Sequence, residues 1–375
     1  MPLKTKTEKA DMFVDEEKRL GMSKTLELQG HGDYDKVKVV YKPKPSPQKG
    51  QVLINMKATG LNFFDLMIRM GAFCDHEIKP PYVMGQEGSG VVSEVGEGVD
   101  EFKPGDRVVC VEKGGLWSEY VAVDEDRCFP IPDDMSHEEA AALPVSYITA
   151  HHTLFELANV KEGKSVLVHM AAGGVGIAAT QLIKTLPNTV IFGTCSKGKH
   201  KMVEGLGVDY PIDYRTKNYV EEVKKVSSEG VDIVLDPLSG EDSVKGFELL
   251  KPMGTIVHYG VTNFVKGTHR SIWQMFKTFI KGKHYSPIIM IAANKGAHGY
   301  NIDGILNNKP VLKSTMSRLL TMYKADQIKP HVDSVWAFED VGQAMARMHQ
   351  RQNVGKVILS PQKTQGEKEI RTVCE

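Results

Sequence analysis

The feature that most constrains the fold is a glycine-rich turn, Ala171-Ala172-Gly173-Gly174-Val175-Gly176, between a β-branched run and an apolar helical stretch. The pattern Ala171-x-Gly173-x-x-Gly176 is the dinucleotide-binding fingerprint with alanine in the first position. Glycine lets the backbone approach a pyrophosphate, and the N-terminus of the next helix supplies N–H donors. The turn therefore predicts a Rossmann unit, and a tight turn without a ligand is the alternative.

The surrounding pattern predicts an α/β protein with two domains. From about residue 24 to residue 134, short apolar runs are bounded by Pro and Gly, which is typical of a β-rich module. The spacing turns helical over 138–157, and strands then alternate with helices. The runs 166–169, 190–194, 233–235 and 256–259 are typical of buried parallel strands. This alternation predicts a doubly wound parallel sheet.

The end of the second strand of this sheet indicates which cofactor is bound. An NAD site places Asp or Glu there for the ribose hydroxyl, but this chain has Ser196, with Lys197, Lys199 and Lys201 close behind. Cations and hydroxyl donors suit a 2′-phosphate dianion. We therefore predict NADP(H) rather than NAD, and a solvated basic turn is the alternative.

Two other interpretations of this region, a membrane span and a P-loop, are disfavoured by the residues around each motif. The stretch 165–183 has no charged residue, but its clustered glycines and His169 favour strand, turn and helix over a membrane span. Ala158-x-x-x-x-Gly163-Lys164-Ser165 satisfies a relaxed P-loop pattern, but it precedes a strand instead of following one. A P-loop ATPase is therefore disfavoured.

Composition excludes further classes. Lys plus Arg and Asp plus Glu both total 47, so no global field favours nucleic acid. The five cysteines are widely spaced and form no C-x-x-C pair, which fits neither a disulfide framework nor a zinc knuckle. Residues 1–21 are rich in Lys, Glu and Asp and do not resemble a secretory signal. We expect a cytoplasmic protein without a transmembrane helix.

Nine segments, in this order, carry a family resemblance. They include Gly60-Leu61-Asn62-Phe63-Phe64-Asp65 and Gly85-Gln86-Glu87-Gly88-Ser89-Gly90. The others are 95–99, 103–108, 139–143, 147–150, 168–176, 328–336 and 353–357. Over residues 24–360 the chain resembles the medium-chain dehydrogenase/reductase family, in its quinone oxidoreductase branch and in particular the VAT-type synaptic vesicle membrane proteins.

The resemblance implies a GroES-like β-rich catalytic domain (24–146 and 325–360) and a Rossmann NADP(H)-binding domain (147–324). A flexible arm (1–23) and a flexible tail (361–375) are expected at the ends. It places Asn62 and Asp65 at the nicotinamide end as catalytic candidates, and helix capping is the alternative role for both. It implies that the cofactor is bound by Thr149, Gly173, Gly174, Val175, Gly176, Ser196, Lys199, Tyr214, Gly260, Val261, Asn353 and Lys356.

The resemblance also implies chemistry without zinc. Zinc-dependent relatives have a Cys near the position of Asn62 and Gly-His-Glu where this chain has Gly85-Gln86-Glu87, and the structural-zinc lobe is missing. Direct hydride transfer from NADPH to a quinone- or enone-like acceptor is then expected. Quinone reductases often carry Tyr where this chain has Phe73, which puts the substrate chemistry in doubt.

A second function stays open at this point. The chain is alternatively a nucleotide-binding transport or lipid-handling protein, peripheral on synaptic vesicles or on the mitochondrial outer membrane. The best membrane-contacting candidate is the amphipathic stretch 273–280 with Lys277, Lys281 and Lys283, and an ordinary half-buried helix is the alternative. A homodimer is expected, with Pro287-Ile288-Ile289-Met290-Ile291-Ala292 as its edge strand.

Overall fold

The N-terminal part of the chain forms a β-rich domain in a computed structural model that describes residues 21–72, 78–265, 267, 271–282 and 285–371. Its strands are β1 (Met22–Leu28), β2 (Val37–Pro43), β3 (Gln51–Leu61), β4 (Tyr82–Val83), β5 (Glu87–Val95), β6 (Arg107–Val111), β7 (Tyr120–Asp124) and β8 (Cys128–Pro130). In β3, Val52, Ile54 and Met56 alternate along one face and pack into a buried cluster with Val92 and Val108. The strands predicted around 52, 91, 108 and 121 lie in β3, β5, β6 and β7.

Three helices accompany these strands. Helix α1 (Phe63–Met70) lies between β3 and β4, whereas α2 (His137–Ala141) and α3 (Pro144–His151) lead to the next domain, and α3 runs directly into a π-helical turn, His152–Leu157. Ser136 caps α2, since its hydroxyl accepts a hydrogen bond from Glu139 N and the Glu139 carboxylate binds Ser136 N in return. All eight residues of α3 are buried, so this helix forms part of the wall between the two domains.

The second domain is a doubly wound parallel sheet. Its strands are β9 (Ser165–Val168), β10 (Val190–Cys195), β11 (Tyr210–Asp213), β12 (Val231–Asp236), β13 (Leu250–His258) and β14 (Gly296–Gly299), in the order β11-β10-β9-β12-β13-β14. The helices between them are α4 (Gly174–Lys184), α5 (His200–Gly205), α6 (Tyr219–Val226), α7 (Glu241–Leu249), α8 (Ile272–Ile280) and α9 (Pro287–Ala293). The strand order reverses at β9, where such folds bind dinucleotides. The predicted sheet is confirmed.

The C-terminal part of the chain leads back to the first domain. It contains α10 (Asp303–Leu306), α11 (Lys309–Lys324), β15 (Val332–Ala337), α12 (Val341–His349), β16 (Lys356–Ser360) and β17 (Lys368–Ile370). Strand β16 pairs antiparallel with β3, which places Val357 opposite Leu61. The larger sheet has the order β17-β15-β16-β3-β5-β6-β8, and β7 also pairs with β3. Strands β2, β1 and β4 form a smaller sheet.

Three expectations, about segment 287–292 and about the two ends of the chain, differ from the structure. The predicted edge strand 287–292 is helix α9, because Ser286 caps it by accepting from Ile289 N and Pro287 occupies the first helical position. The predicted flexible tail contains β17, which pairs with β15 through ladder hydrogen bonds. Strand β1 starts at Met22, inside the predicted arm, and residues 1–20 lie outside the described part.

Apolar packing joins α3 and α4 to the parallel sheet. Val166 and Val168 of β9 belong to one buried cluster with Ile148 of α3 and with Ala178 and Leu182 of α4. Small residues on α4 let the helix lie close to the strand that precedes it. In the described ranges, no helix combines the length and the apolar character needed to cross a membrane.

Candidate active site

A cavity of about 910 Å³ lies at the carboxyl ends of the parallel strands and reaches α1 of the N-terminal domain. Its walls are supplied by α1, by α3, by the Rossmann loops and by the returning segment before β16. Among the residues predicted from the sequence, it is lined by Asn62, Thr149, Gly173, Gly174, Val175, Gly176, Ser196, Lys199, Tyr214, Gly260, Val261, Asn353 and Lys356. Asp65 is the predicted site residue that does not line it.

The glycine-rich turn has the backbone geometry of a phosphate-binding loop. Met170, two residues after the end of β9, has a φ of 54°, and Gly173 is the N-cap of α4. A Cβ on Gly176 would overlap Met170 O and lie 2.7 Å from Ala171 Cα. The first N–H groups of a helix have no acceptor within the helix, and the first residues of α4, Gly174, Val175 and Gly176, line the cavity, so their N–H groups are available to an anion. The residues therefore fit a pyrophosphate.

The returning segment is fixed directly to this turn. Gly355 N donates a 2.9 Å hydrogen bond to Ala172 O, and Gly355 forms a parallel bridge with Gly173. Gly355 has a φ of 81°, and a Cβ there would overlap the carbonyl oxygen of His331. The turn and the residues on either side of Gly355 therefore form one rigid corner of the cavity.

Lys199 lies at the basic corner predicted for the 2′-phosphate. Its Nζ donates hydrogen bonds to Arg351 O at 2.9 Å and to Asn353 O at 2.6 Å. Burial lowers the pKa of Lys199. Ser196 is the N-cap residue of the short 3-10 turn that carries Lys199, and Lys201 faces solvent on the next helix.

Tyr214 and Arg351 complete that corner. Arg351 donates a 3.5 Å hydrogen bond to the Tyr214 hydroxyl, and its guanidinium lies 5.9 Å from the ring centroid. Although burial raises the pKa of the phenol, hydrogen bonds from Arg351 and Arg215 outweigh it and lower the pKa. Sequence reasoning missed Arg351, whose only signal was its position two residues before Asn353.

Asn62 and Lys356 meet at the opposite end of the cavity. Lys356, 3% exposed, donates a 2.5 Å hydrogen bond from Nζ to Asn62 Oδ1, and it also pairs with the buried carboxylate of Glu87. Asn62 Nδ2 donates to Glu87 Oε1 at 2.9 Å. Glu87 was not predicted as a site residue, although it stands in the Gly85-Gln86-Glu87 segment.

The prediction that Asp65 faces the nicotinamide end is corrected by its position behind Asn62. Asp65 is completely buried, and its Oδ2 accepts a 2.7 Å hydrogen bond from Asn62 N. Burial raises the pKa of this carboxyl to about 7, against the lowering effects of the Asn62 N–H and Lys356. Asp65 therefore fixes the start of α1, in the capping role that was the alternative.

Gly260 and Val261 line the wall formed by β12 and β13. Asp236, fully buried at the end of β12, accepts hydrogen bonds from His258 Nδ1 at 2.9 Å and Ser243 Oγ at 2.7 Å. Burial alone raises the pKa of Asp236, but these hydrogen bonds hold it below the usual value. The loop after Asp236 then binds Gly260, since Ser239 Oγ donates to Gly260 O at 2.9 Å.

Gln86, Thr149 and Phe73 are the residues on which the zinc-free and substrate predictions depend. Gln86 lines the cavity, and over the described residues no set of three His, Cys, Asp or Glu side chains is placed to hold a metal ion. Thr149 lines the cavity from α3, next to the π-helical turn. Phe73, the departure noted from the resemblance, lies outside the described residues.

Comparisons with known proteins identify the family of this chain. Residues 48–133 match the alcohol dehydrogenase GroES-like domain, and residues 206–359 match the zinc-binding dehydrogenase family. The human synaptic vesicle membrane protein VAT-1 homolog is 46% identical over 338 residues, which cover 90% of this chain and 86% of the human protein.

Solved structures extend the comparison. The human VAT-1 homolog-like protein has a TM-score of 0.80 and 40% identity, covering 92% of this chain and 99% of that one. A Pseudomonas syringae quinone oxidoreductase has a TM-score of 0.79 and 26% identity, covering 91% and 100%. A mycobacterial protein solved in complex with NADPH has a TM-score of 0.79 and 25% identity, covering 90% and 100%.

The fold and the cavity are those of a two-domain, dinucleotide-binding oxidoreductase. The chain belongs to the medium-chain dehydrogenase/reductase family, as a quinone oxidoreductase-like protein similar to the VAT-1 homologues. The predicted GroES-like domain and the predicted family are thereby confirmed.

Proposed function

We propose that this chain reduces quinone- or enone-like acceptors with NADPH, by direct hydride transfer without zinc. The observation that carries the proposal is that one cavity joins a pyrophosphate-binding turn, a basic corner and a polar pair, Asn62 and Lys356, at its far end. A dinucleotide that runs along the cavity has its adenosine end at the basic corner and its nicotinamide end near Asn62.

The preference for NADP(H) rests on charge. Lys199 and Arg351 lie at the end of β10 where an NAD site has a carboxylate, and both line the cavity. Arginine and lysine donors suit a phosphate dianion and gain little from a free ribose hydroxyl. The mycobacterial neighbour solved with NADPH supports this preference.

The chemistry at the nicotinamide end needs positioning and a hydrogen-bond donor. When bound, NADPH supplies the hydride. Leu61, Phe63 and Met67 line the cavity beside Asn62 and keep water from the acceptor. Polar groups act more strongly in such an apolar environment, so the Asn62 amide stabilises charge that develops on an acceptor oxygen. The soft ligands of a catalytic zinc are replaced by Asn62 and Gln86, which supports a zinc-free reaction.

The proposal is tested by following NADPH oxidation against a panel of quinones and enones, before and after treatment with a zinc chelator. We expect turnover with at least one class and no effect of the chelator. Loss of activity on chelation would contradict the zinc-free reaction. Tight NADPH binding without turnover on any acceptor would favour the second candidate function.

That second candidate is peripheral membrane association, and an exposed apolar face supports it. On α8, Trp273 is 73% exposed and Phe279 is 59% exposed, and on α9, Ile288 and Ile291 are 78% and 79% exposed. Lys277 lies on α8 among these apolar residues, as in helices that lie in a membrane interface. Flotation with phosphatidylserine vesicles tests it: binding that is lost in Trp273→Ala supports association, and absence of binding by the wild type rejects it.

We also propose that the chain forms a homodimer. Strand β14 is the last strand of the parallel sheet in the described part of the chain, and exposed edges of this kind pair with a second copy. The edge is β14 and not the segment 287–292, which corrects the predicted pairing strand. Light scattering of the eluting protein should give twice the chain mass, and a monomer at micromolar concentration would reject the dimer.

A further inference from the structure

The buried ammonium of Lys356 is held by two residues of the N-terminal domain, Asn62 and Glu87. Lys356 is the first residue of β16, directly after Gly355, which is bonded to the glycine-rich turn. The side chain of Lys356 thus connects the segment bonded to the turn with Asn62 and Glu87. Lys356 is only 3% exposed, although it lines a cavity. Burying a lysine ammonium in this way costs free energy of folding unless a partner or a ligand compensates for the lost hydration.

The contacts of Asn62 fix the orientation of its amide. The oxygen must face Lys356, because an ammonium only donates, and the nitrogen must face the carboxylate of Glu87, because a carboxylate only accepts. Glu87 is fixed in turn, since its Oε2 accepts a 2.7 Å hydrogen bond from Val145 N. The amide nitrogen of Asn62 carries two hydrogens, and one of them is donated to Glu87. The second hydrogen is on the same side chain, which lines the cavity.

We propose that Asn62, Lys356 and Glu87 form an oxyanion-binding site at the nicotinamide end of the cavity. In this site the Asn62 amide nitrogen contacts the anionic oxygen, Lys356 supplies the positive charge, and Glu87 acts as a positioning residue. The ligand class is an enolate or phenolate, the anion that an enone or quinone becomes when its acceptor system gains a hydride. NADPH is oxidised to NADP⁺ in that step, and a proton from water then neutralises the anion.

The surrounding charges set the strength of the site. Lys356 and Glu87 carry opposite charges and nearly cancel at a distance, so the anion is bound by local contacts and not by net charge. Asp65 lies behind Asn62, close enough for Lys356 to lower its pKa. The apolar side chains of Leu61, Phe63 and Met67 beside Asn62 reduce screening by water, which strengthens the hydrogen bond from Asn62 to an anion.

The inference rests on the proposed function for its biological meaning, but binding tests it without turnover. The probe is 4-nitrophenolate, compared with the neutral 4-nitroanisole, titrated into the full chain with saturating NADP⁺. We expect the phenolate to bind about tenfold more tightly or better, as a charge-assisted hydrogen bond would give. Asn62→Ala and Lys356→Met should lose this preference, and Lys356→Arg should restore part of it.

Two controls make the result decisive. Lys324→Met removes an exposed lysine at the end of α11 and should keep the preference. If Lys356→Met fails to fold because Glu87 is left unpaired, the neutral pair Lys356→Met with Glu87→Gln should fold and still lack the preference. Equal binding of both probes by the wild type, or an unchanged preference in a folded variant that carries Lys356→Met, would overturn the inference.

Acceptor reduction measured on the same samples separates the two proposals. A wild type that prefers the phenolate but reduces no acceptor retains the oxyanion site and rejects the reductase function. A wild type that reduces acceptors but shows no anion preference retains the reductase function and rejects the site.

Discussion

Lys199 Nζ donates a 2.6 Å hydrogen bond to the carbonyl oxygen of Asn353, and so joins the basic turn of the Rossmann sheet to the segment that returns to the N-terminal domain. The same ammonium binds Arg351 O. The Lys199 ammonium is therefore positioned by backbone oxygens from a part of the chain that is about 150 residues away. Cofactor choice then depends on both domains.

Arg351→Met should weaken NADPH binding selectively. A hydrogen bond to a charged group contributes roughly 1.5–3 kcal/mol, which corresponds to a loss of about tenfold or more in NADPH affinity. NADH lacks the 2′-phosphate, so its affinity should stay unchanged. Fluorescence titration with both nucleotides measures the difference. Lys201→Met, on the exposed side of the same basic turn, is the control and should affect neither. Equal losses for both nucleotides would contradict the assigned role.

Gly176→Ala should abolish nucleotide binding and lower stability. The added methyl group would overlap Met170 O, and overpacking of this kind costs roughly 1–3 kcal/mol. Gly198→Ala is the matched control, because nothing lies within 4 Å of the position of its Cβ. Urea unfolding and NADPH titration of the two variants give the comparison. Normal NADPH binding by the Gly176→Ala variant would show that the glycine-rich turn does not bind the nucleotide.

Asp65 should make stability fall as the pH rises. Its pKa is about 7 in the folded chain, whereas an unfolded chain releases this proton near pH 4, so the folded state binds more protons between these values. The free energy of unfolding should then decrease by up to about 1.4 kcal/mol per pH unit in that window. Asp65→Asn stays neutral and should remove this slope, measured by urea unfolding. Asp133→Asn, at an exposed site, should retain it. An unchanged slope in Asp65→Asn would refute the assignment.

Arg347→Met should destabilise the returning segment. Arg347 binds the buried carboxylate of Asp333 through two hydrogen bonds of 2.6 and 2.9 Å, and Asp333 Oδ1 also accepts from Val354 N. Breaking such a pair costs roughly 3–5 kcal/mol because a buried charge loses its partner. The pair Arg371–Glu369 is largely exposed, so Arg371→Met should change the free energy of unfolding by less than about 1 kcal/mol. Similar effects of both substitutions would show that the Asp333 contact is not special.

The glycine-rich turn and the basic turn were predictable because their signals are local. A strand, a turn and a helix follow each other within about twenty residues, and the missing carboxylate stands at the next strand end. The doubly wound sheet followed from the same alternation. Helix α9 was missed because its Ile-rich sequence resembles a strand, while the deciding signals were Ser286 and Pro287 at its start.

Contacts between distant parts of the chain were not predictable in the same way. Glu87 becomes a site residue only because Lys356, far along the chain, inserts its ammonium beside it. Arg351 faces Tyr214 only because the returning segment passes the basic turn. Asp65 was placed in the cavity by resemblance, but burial behind Asn62 shows that its contact is with the backbone at the start of α1.

The central claim is that the cavity takes NADP(H), and a paired titration tests it most directly. The full chain is titrated with NADPH and with NADH at the same ionic strength, and the two dissociation constants are compared. We predict that NADPH binds at least about tenfold more tightly, as expected for charge-assisted contacts to its 2′-phosphate. NADH binding as tightly as NADPH, or more tightly, would contradict the account.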